Sequence, residues 1–226
     1  LSIRYLPTIL HHPVWFEGVS LSTDRKLSIC NLPYKNSFTS PDAYPGVYFS
    51  AGIHPWHIAS TDPMSLTSQL SRIAEFPQLL AIGECGLDKL TDTPMDIQIT
   101  IFKQQIEIAE NSKKPMIIHC VKAFNELIKL RKETAARQEW IIHGFRGKPQ
   151  LATELIQHGF RISIGHKFNP ETAETIPLHR LFLETDDSNI DIETVYRQIA
   201  EIRQIPENEL IISIGTNFSE LFDLSR

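Results

Sequence analysis

The feature that most constrains this chain is an alternation. From residue 46 onward, short apolar runs and longer stretches of helical periodicity take turns. Gly46–Ile53 reads as a strand, with a turn at His54-Pro55-Trp56. Met64–Phe76 spaces Leu66, Leu70, Ile73 and Ala74 as a helix does, and Pro77 ends it. Leu79–Cys85, Pro115–Cys120, Trp140–Phe145, Phe160–Ile164 and Leu181–Thr185 read as strands. Between them fall helices at Asp96–Asn111 (Ile97, Ile101, Ile108 and Ala109 inward), Ala123–Arg137 (Leu127, Ile128 and Leu130), Pro149–His158 and Pro170–Thr175. Ile192–Arg203 and Glu207–Phe222 read as closing helices, although the β-branched content of Leu210–Ile214 also suits a strand.

Strands alternating with helices imply βα units and a parallel sheet. Continuous apolar strands imply burial on both faces. Six or seven such units in 226 residues predict an α/β fold, a single (β/α) TIM-like barrel domain spanning residues 1–226. A doubly wound sheet is the alternative, but neither GxGxxG nor GxxxxGK[ST] occurs. The first 45 residues are less regular, with room for an early strand and hairpin in His11–Ser28.

Composition narrows the classes further. Hydrophobic residues make up 42% and charged residues 22%, which provides a core and argues against disorder. Lys and Arg number 22 against 27 Asp and Glu, a net charge of −5, so a broad basic surface for nucleic acid is disfavoured. No apolar run reaches the roughly 18–20 residues of a membrane span, and Leu1–Leu10, with Pro7, does not read as a signal peptide. The three cysteines, Cys30, Cys85 and Cys120, are widely spaced without a CxxC; reduced thiols and a cytoplasmic location are expected, with Cys85 and Cys120 as core residues.

The polar residues carry the chemistry. One strand after another ends in a side chain that suits a metal: LLAIGE in Glu84, MIIH in His119, WIIH in His143, and LFLET beside Asp186, while the GIHPWH turn adds His54 and His57. A lone histidine after an apolar run is usually a satisfied core or surface residue. The same phase recurring on four strands is not coincidence, because the C-terminal ends of barrel strands converge on one mouth. Two histidines and two carboxylates there would form a divalent-metal set, and a mixed donor set leaves the metal open.

Read in order, Gly52-Ile53-His54-Pro55-Trp56, Ala81-Ile82-Gly83-Glu84-Cys85-Gly86-Leu87-Asp88, Ile117-Ile118-His119-Cys120, Ile142-His143-Gly144-Phe145-Arg146-Gly147 and Leu183-Glu184-Thr185-Asp186 resemble the TatD family of metal-dependent deoxyribonucleases, barrels of the metallo-dependent hydrolase type. The resemblance covers about residues 45–222. It implies that Glu84 bridges two metals, that His119 and His143 serve the second, and that Asp186 serves the first and acts as general base. It places His54 near the scissile phosphate. It also implies hydrolysis of DNA as substrate, by 3′-to-5′ exonuclease action, with one or two Mg2+ or Mn2+ ions (Zn2+ is also possible) and no membrane or obligate protein partner.

The sequence departs from the family at the start. The family's first strand ends in His-x-His, and none occurs here. Either His11 matches the second histidine and Ile9 replaces the first, or His11 matches the first and Pro13 replaces the second. Either way the first metal loses a protein ligand, and a weak site, or one filled only with substrate, is expected. The family's HxR reads His119-Cys120-Val121, leaving Lys89, Lys122, Arg146 and Lys148 as phosphate contacts, with Lys89 and Arg146 foremost. Asp187, with Ser188 and Asp191, reads as a helix cap. His12, His57, His158, His166 and His179 read as non-ligands, and Trp56 as the one tryptophan placed to stack a base.

Two rivals remain: a barrel hydrolysing a small ester, lactone or phosphate, and a catalytically impaired barrel that binds phosphorylated ligands.

Overall fold

The computed structural model describes residues 8–10, 28–31, 48–60 and 62–222. The elements run β1 (Thr8–Leu10), β2 (Ser28–Asn31), β3 (Tyr48–Ala51), α1 (Pro63–Ile73), β4 (Leu79–Asp88), α2 (Met95–Ser112), β5 (Met116–Val121) and α3 (Phe124–Glu133). They continue with β6 (Trp140–Ile142), α4 (Pro149–Gln157), β7 (Phe160–Ile164), α5 (Pro170–Thr175), β8 (Leu181–Leu183), α6 (Ile192–Arg203) and α7 (Glu207–Leu221). The alternation read from the sequence is present throughout this stretch. Leu210–Ile214 is helical, since Leu210 and Ile214 fall one turn apart on the buried face of α7. His11 and the His11–Ser28 stretch lie outside the described residues except Ser28, which begins β2. Among the described residues no helix is long and apolar enough to cross a membrane.

The chain divides into two compact units, one of Asn31–Ile142 and the other joining Leu1–Cys30 to His143–Ser225. In the first, β3, β4, β5 and β6 pair in parallel, each with the next. In the second, β1 pairs with β2 and β7 with β8, again in parallel, and β8 lies against β1. From β3 onward, parallel pairing follows from the helix between successive strands, which carries the chain back to its starting end.

Strand β4 is longer than the apolar run that announces it. All ten of its residues are buried, and pairing with β5 continues through Gly86↔His119 to Asp88↔Val121. Glu84 is thus in mid-strand, and Asp88 ends it. Glycine permits this. A Cβ on Gly86, at φ +141, would stand 2.0 Å from the His119 carbonyl oxygen, and one on Gly52 would stand 2.7 Å from that of Glu84. Any side chain at either position would drive neighbouring strands apart and displace the polar groups beside them.

Helix α2 is the lock on this unit. Its inward face carries Ile101, Phe102, Ile106 and Ala109, but also two buried amides seven residues apart, Gln98 and Gln105. Gln105 Oε1 accepts from the Ile53 N–H at 2.7 Å and its Nε2 donates to the Ile53 carbonyl at 3.2 Å. Gln98 Oε1 accepts from the Asp88 N–H at 2.8 Å, and its Nε2 donates to the carbonyls of Asp88 (2.9 Å) and Thr93 (2.7 Å). Backbone groups left unpaired where β3 and β4 end are satisfied by one helix. Ile97, expected on that face, is 44% exposed, because the buried stripe begins at Gln98.

The other unit has a shorter counterpart. Buried Asn217 on α7 donates to the carbonyls of Leu178 (2.6 Å) and Leu181 (2.9 Å), fixing the entry to β8. Asp191, not Asp187, takes the N-cap position of α6, and it makes no capping hydrogen bond. Cys85 is buried and its thiol is pushed well up by that burial, with Glu84 adding to the rise, whereas Cys120 is only partly enclosed.

Candidate metal centre

Among the described residues, each unit carries a group of side chains that could hold a metal. In the first these are His54, Glu84 and His119, and in the second His143, Glu184 and Asp186. Within each group one donor atom per residue lies within 4.8 Å of the others.

In the first group, Glu84 Oε1 faces two imidazoles, His119 Nδ1 at 3.1 Å and His54 Nε2 at 3.3 Å. The other nitrogen of His119, Nε2, faces Asp88 Oδ2 at 3.1 Å. A neutral imidazole has one N–H and one lone pair. With a carboxylate oxygen at each nitrogen, a neutral ring can donate to only one of them, and the other side takes either a second ring proton or a metal ion. Glu84 and His119 are the residues that would hold a divalent ion here, and His119 Nε2–H would then donate to Asp88, the carboxylate–histidine–metal arrangement of many metal sites. The donor set therefore fits a metal.

His54 differs. Its Nδ1 accepts the Trp56 backbone N–H at 3.1 Å, so in the neutral ring the proton is on Nε2, pointing at Glu84. A metal-bound histidine instead donates from its second nitrogen. His54 is thus built as a hydrogen-bond donor, a role suited to a phosphate oxygen.

Asp88 is the hub of the group. Its carboxylate also accepts from the Trp56 indole N–H (2.6 Å) and the Leu90 N–H (2.7 Å). Burial alone would raise its pKa, but the hydrogen bonds from Trp56, Leu90 and His119 outweigh it and hold the group below the ordinary carboxylate value.

The second group stands at and beyond strand ends. His143 follows β6 directly, and its Nδ1 lies 3.7 Å from Glu184 Oε1. Glu184 follows β8, is fully buried, and accepts the Gly144 N–H at 2.6 Å. Asp186 lies two residues further, at φ +51, a left-handed conformation that Asp tolerates better than most residues. Arg146, His166 and Lys167 line a small pocket with Glu184 and Asp186. Among the described residues, none accepts a hydrogen bond or ion pair from these three side chains.

The structure thus brings Glu84 to His119 and His54, and Asp186 to His143. Arg146 lines the pocket beside Asp186, and His166, expected to be a bystander, lines it too. Lys89 is engaged: its Nζ lies 2.6 Å from Glu126 Oε1, and this bond holds the Glu126 carboxyl below its usual range. Asp88 and Glu184 were given no role by the sequence pattern. Asp88 occupies the last position of the GECGLD segment, and Glu184 sits in the same strand-end phase as the other ligands. The latter was the available signal.

Parallel strands that carry polar ligands within them or directly after them, alternating with helices, define an α/β hydrolase of the metallo-dependent type. The comparisons agree. The family model described as TatD related DNase matches residues 28–223, and the chain belongs to that family. A solved structure with a TM-score of 0.73, the TatD homologue YjjV of Escherichia coli, is 25% identical and shares 81% of this chain and 79% of its own, which gives this chain a TIM-like barrel fold. A 3′-5′ ssDNA/RNA exonuclease TatD of Erwinia tasmaniensis is 29% identical over 77% of this chain and 78% of that protein. An uncharacterized metal-dependent hydrolase of Buchnera aphidicola is 32% identical over 63% of this chain, and the match spans 60% of that relative's length.

Proposed function

We propose that this chain is a divalent-metal-dependent nuclease that hydrolyses phosphodiester bonds of single-stranded DNA from the 3′ end. The observation that carries the proposal is His119 held between the carboxylates of Glu84 and Asp88, with His54 on the same Glu84 oxygen, a donor set that suits a divalent ion. Glu84 and His119 on one side, and His143, Glu184 and Asp186 on the other, are the residues that would hold divalent ions. Mg2+ and Mn2+ suit the carboxylates, and the imidazoles leave Zn2+ open. The chemistry such an ion supplies is polarisation of a phosphoryl oxygen and activation of water for attack.

The chain's own residues do the rest. His54 Nε2–H donates to a non-bridging phosphate oxygen, and Trp56 N–H keeps that proton in place. Asp186 takes the proton of the attacking water. Arg146 and Lys167, with His166, bind the phosphate beside Asp186. Binding through phosphate rather than base edges suits an enzyme with a net charge of −5, whose cations are few and concentrated.

The test is release of nucleotides from single-stranded DNA with Mn2+ or Mg2+, for the parent and Glu84→Ala. Release by the parent that EDTA abolishes and the variant lacks is the expected result. No release by the parent while metal is demonstrably bound would overturn the proposal.

A further inference from the structure

We infer that Trp56 is a stacking platform for one unpaired nucleobase of the substrate, held in place by Asp88; this rests on the nuclease reading above. Trp56 lies in the short 3-10 helix Pro55–Ser60 that follows β3, and it is 60% exposed. An exposed indole is normally free to change rotamer. This one is pinned at its polar end, where Nε1–H donates to Asp88 Oδ2 at 2.6 Å. Asp88 is itself 2% exposed and fixed by the Leu90 N–H and by His119. The indole also meets two imidazoles near edge-on, His54 at 4.8 Å and His119 at 5.5 Å between ring centroids, both at 75°.

A large aromatic surface is thus immobilised in water beside the candidate metal group. Ordering a tryptophan while leaving most of it wet gains the fold little. It gains a ligand much, because the ring's rotamer entropy is lost before binding. Leu90, whose N–H is held by the other oxygen of the same carboxylate, is 66% exposed. The matching chemistry is a planar aromatic group attached to a phosphodiester, which is a nucleobase. In a duplex both faces of a base are already stacked, so the platform favours single strands. Stacking reads the face of a base rather than its edges, so little sequence preference is expected.

A double-perturbation cycle tests this. The value of kcat/KM for metal-dependent nucleotide release is measured for the parent, Trp56→Leu and Trp56→Phe. The substrates are a single-stranded deoxyoligonucleotide and versions with one abasic residue stepped through the positions nearest the 3′ end. Trp56→Leu is expected to lower kcat/KM on the order of tenfold on the intact strand, mostly through KM, with Trp56→Phe recovering much of the loss. At one position the abasic residue should lower the parent by a similar factor and leave Trp56→Leu nearly unchanged. Effects that multiply at every position would overturn the platform while leaving the nuclease reading intact. A parent that releases nothing would overturn both.

Discussion

The two ligand groups are built by opposite means. Glu84 and His119 sit within strands β4 and β5 and His54 just after β3, and a single helix satisfies the backbone around them through Gln98 and Gln105. His143, Glu184 and Asp186 stand where short strands have just ended, with a left-handed backbone at Asp186 and an open pocket of cations beside them. The first arrangement fixes ligand geometry before any metal arrives. The second leaves Asp186, Arg146, His166 and Lys167 partly or fully exposed around a small pocket.

The sharpest contrast is in catalysis. Glu84→Ala removes the carboxylate facing both imidazoles, and nucleotide release is expected to fall about a thousandfold or more. Lys167→Ala removes one phosphate contact among several and is expected to lower kcat/KM only about tenfold, chiefly through KM. Initial rates over a range of oligonucleotide concentrations separate the two, and equal losses would erase the distinction drawn between the groups.

Stability gives the next test. Gln98→Leu strands the Asp88 N–H and two carbonyls inside the protein, and urea unfolding should show a loss of about 3 kcal/mol. Asn217→Leu strands two carbonyls and should cost about 2 kcal/mol. An unchanged midpoint for Gln98→Leu would mean that α2 is not the lock described. Asp88→Asn weakens the hub that supports His119 together with Trp56 and Leu90. It keeps the shape but weakens the partner of Nε2, and Mn2+ affinity should drop by about 10- to 100-fold with little change in unfolding.

The smallest effect concerns Lys89 and Glu126. Glu126 has its pKa lowered in the folded state, mainly by Lys89. A lowered folded-state value means stability that is present above the unfolded pKa of about 4 and is lost as pH falls through the folded value. The pair is substantially exposed, so Glu126→Gln should cost under about 1 kcal/mol at neutral pH. The difference should begin to shrink as pH falls through about 4, vanish below the lowered folded-state pKa, and shrink in concentrated salt.

Much of this was legible in the sequence because it was local. Helix and strand order follows from spacing, and the recurrence of Glu84, His119, His143 and Asp186 after apolar runs is a phase that only a parallel α/β fold explains. What was not legible was long-range. Gln98 and Gln105 read as polar interruptions of a helix, since their partners at Ile53 and Asp88 are set by tertiary packing. Lys89 read as a free cation because Glu126 meets it only once α3 packs beyond the end of β4. Glu184 passed as part of an apolar run, its role visible only with the Gly144 N–H on it. Ile9 can be placed only by its backbone in β1, and His11 lies outside the described residues, so the departure from His-x-His rests on the sequence.

The central claim is that these two groups hold divalent metal, and direct titration with Mn2+ tests it. Isothermal calorimetry on the metal-stripped protein, beside Glu84→Ala and Asp186→Ala, should show EDTA-reversible binding by the parent and at least a tenfold weaker affinity in each variant. Binding of equal strength in all three proteins would contradict the account.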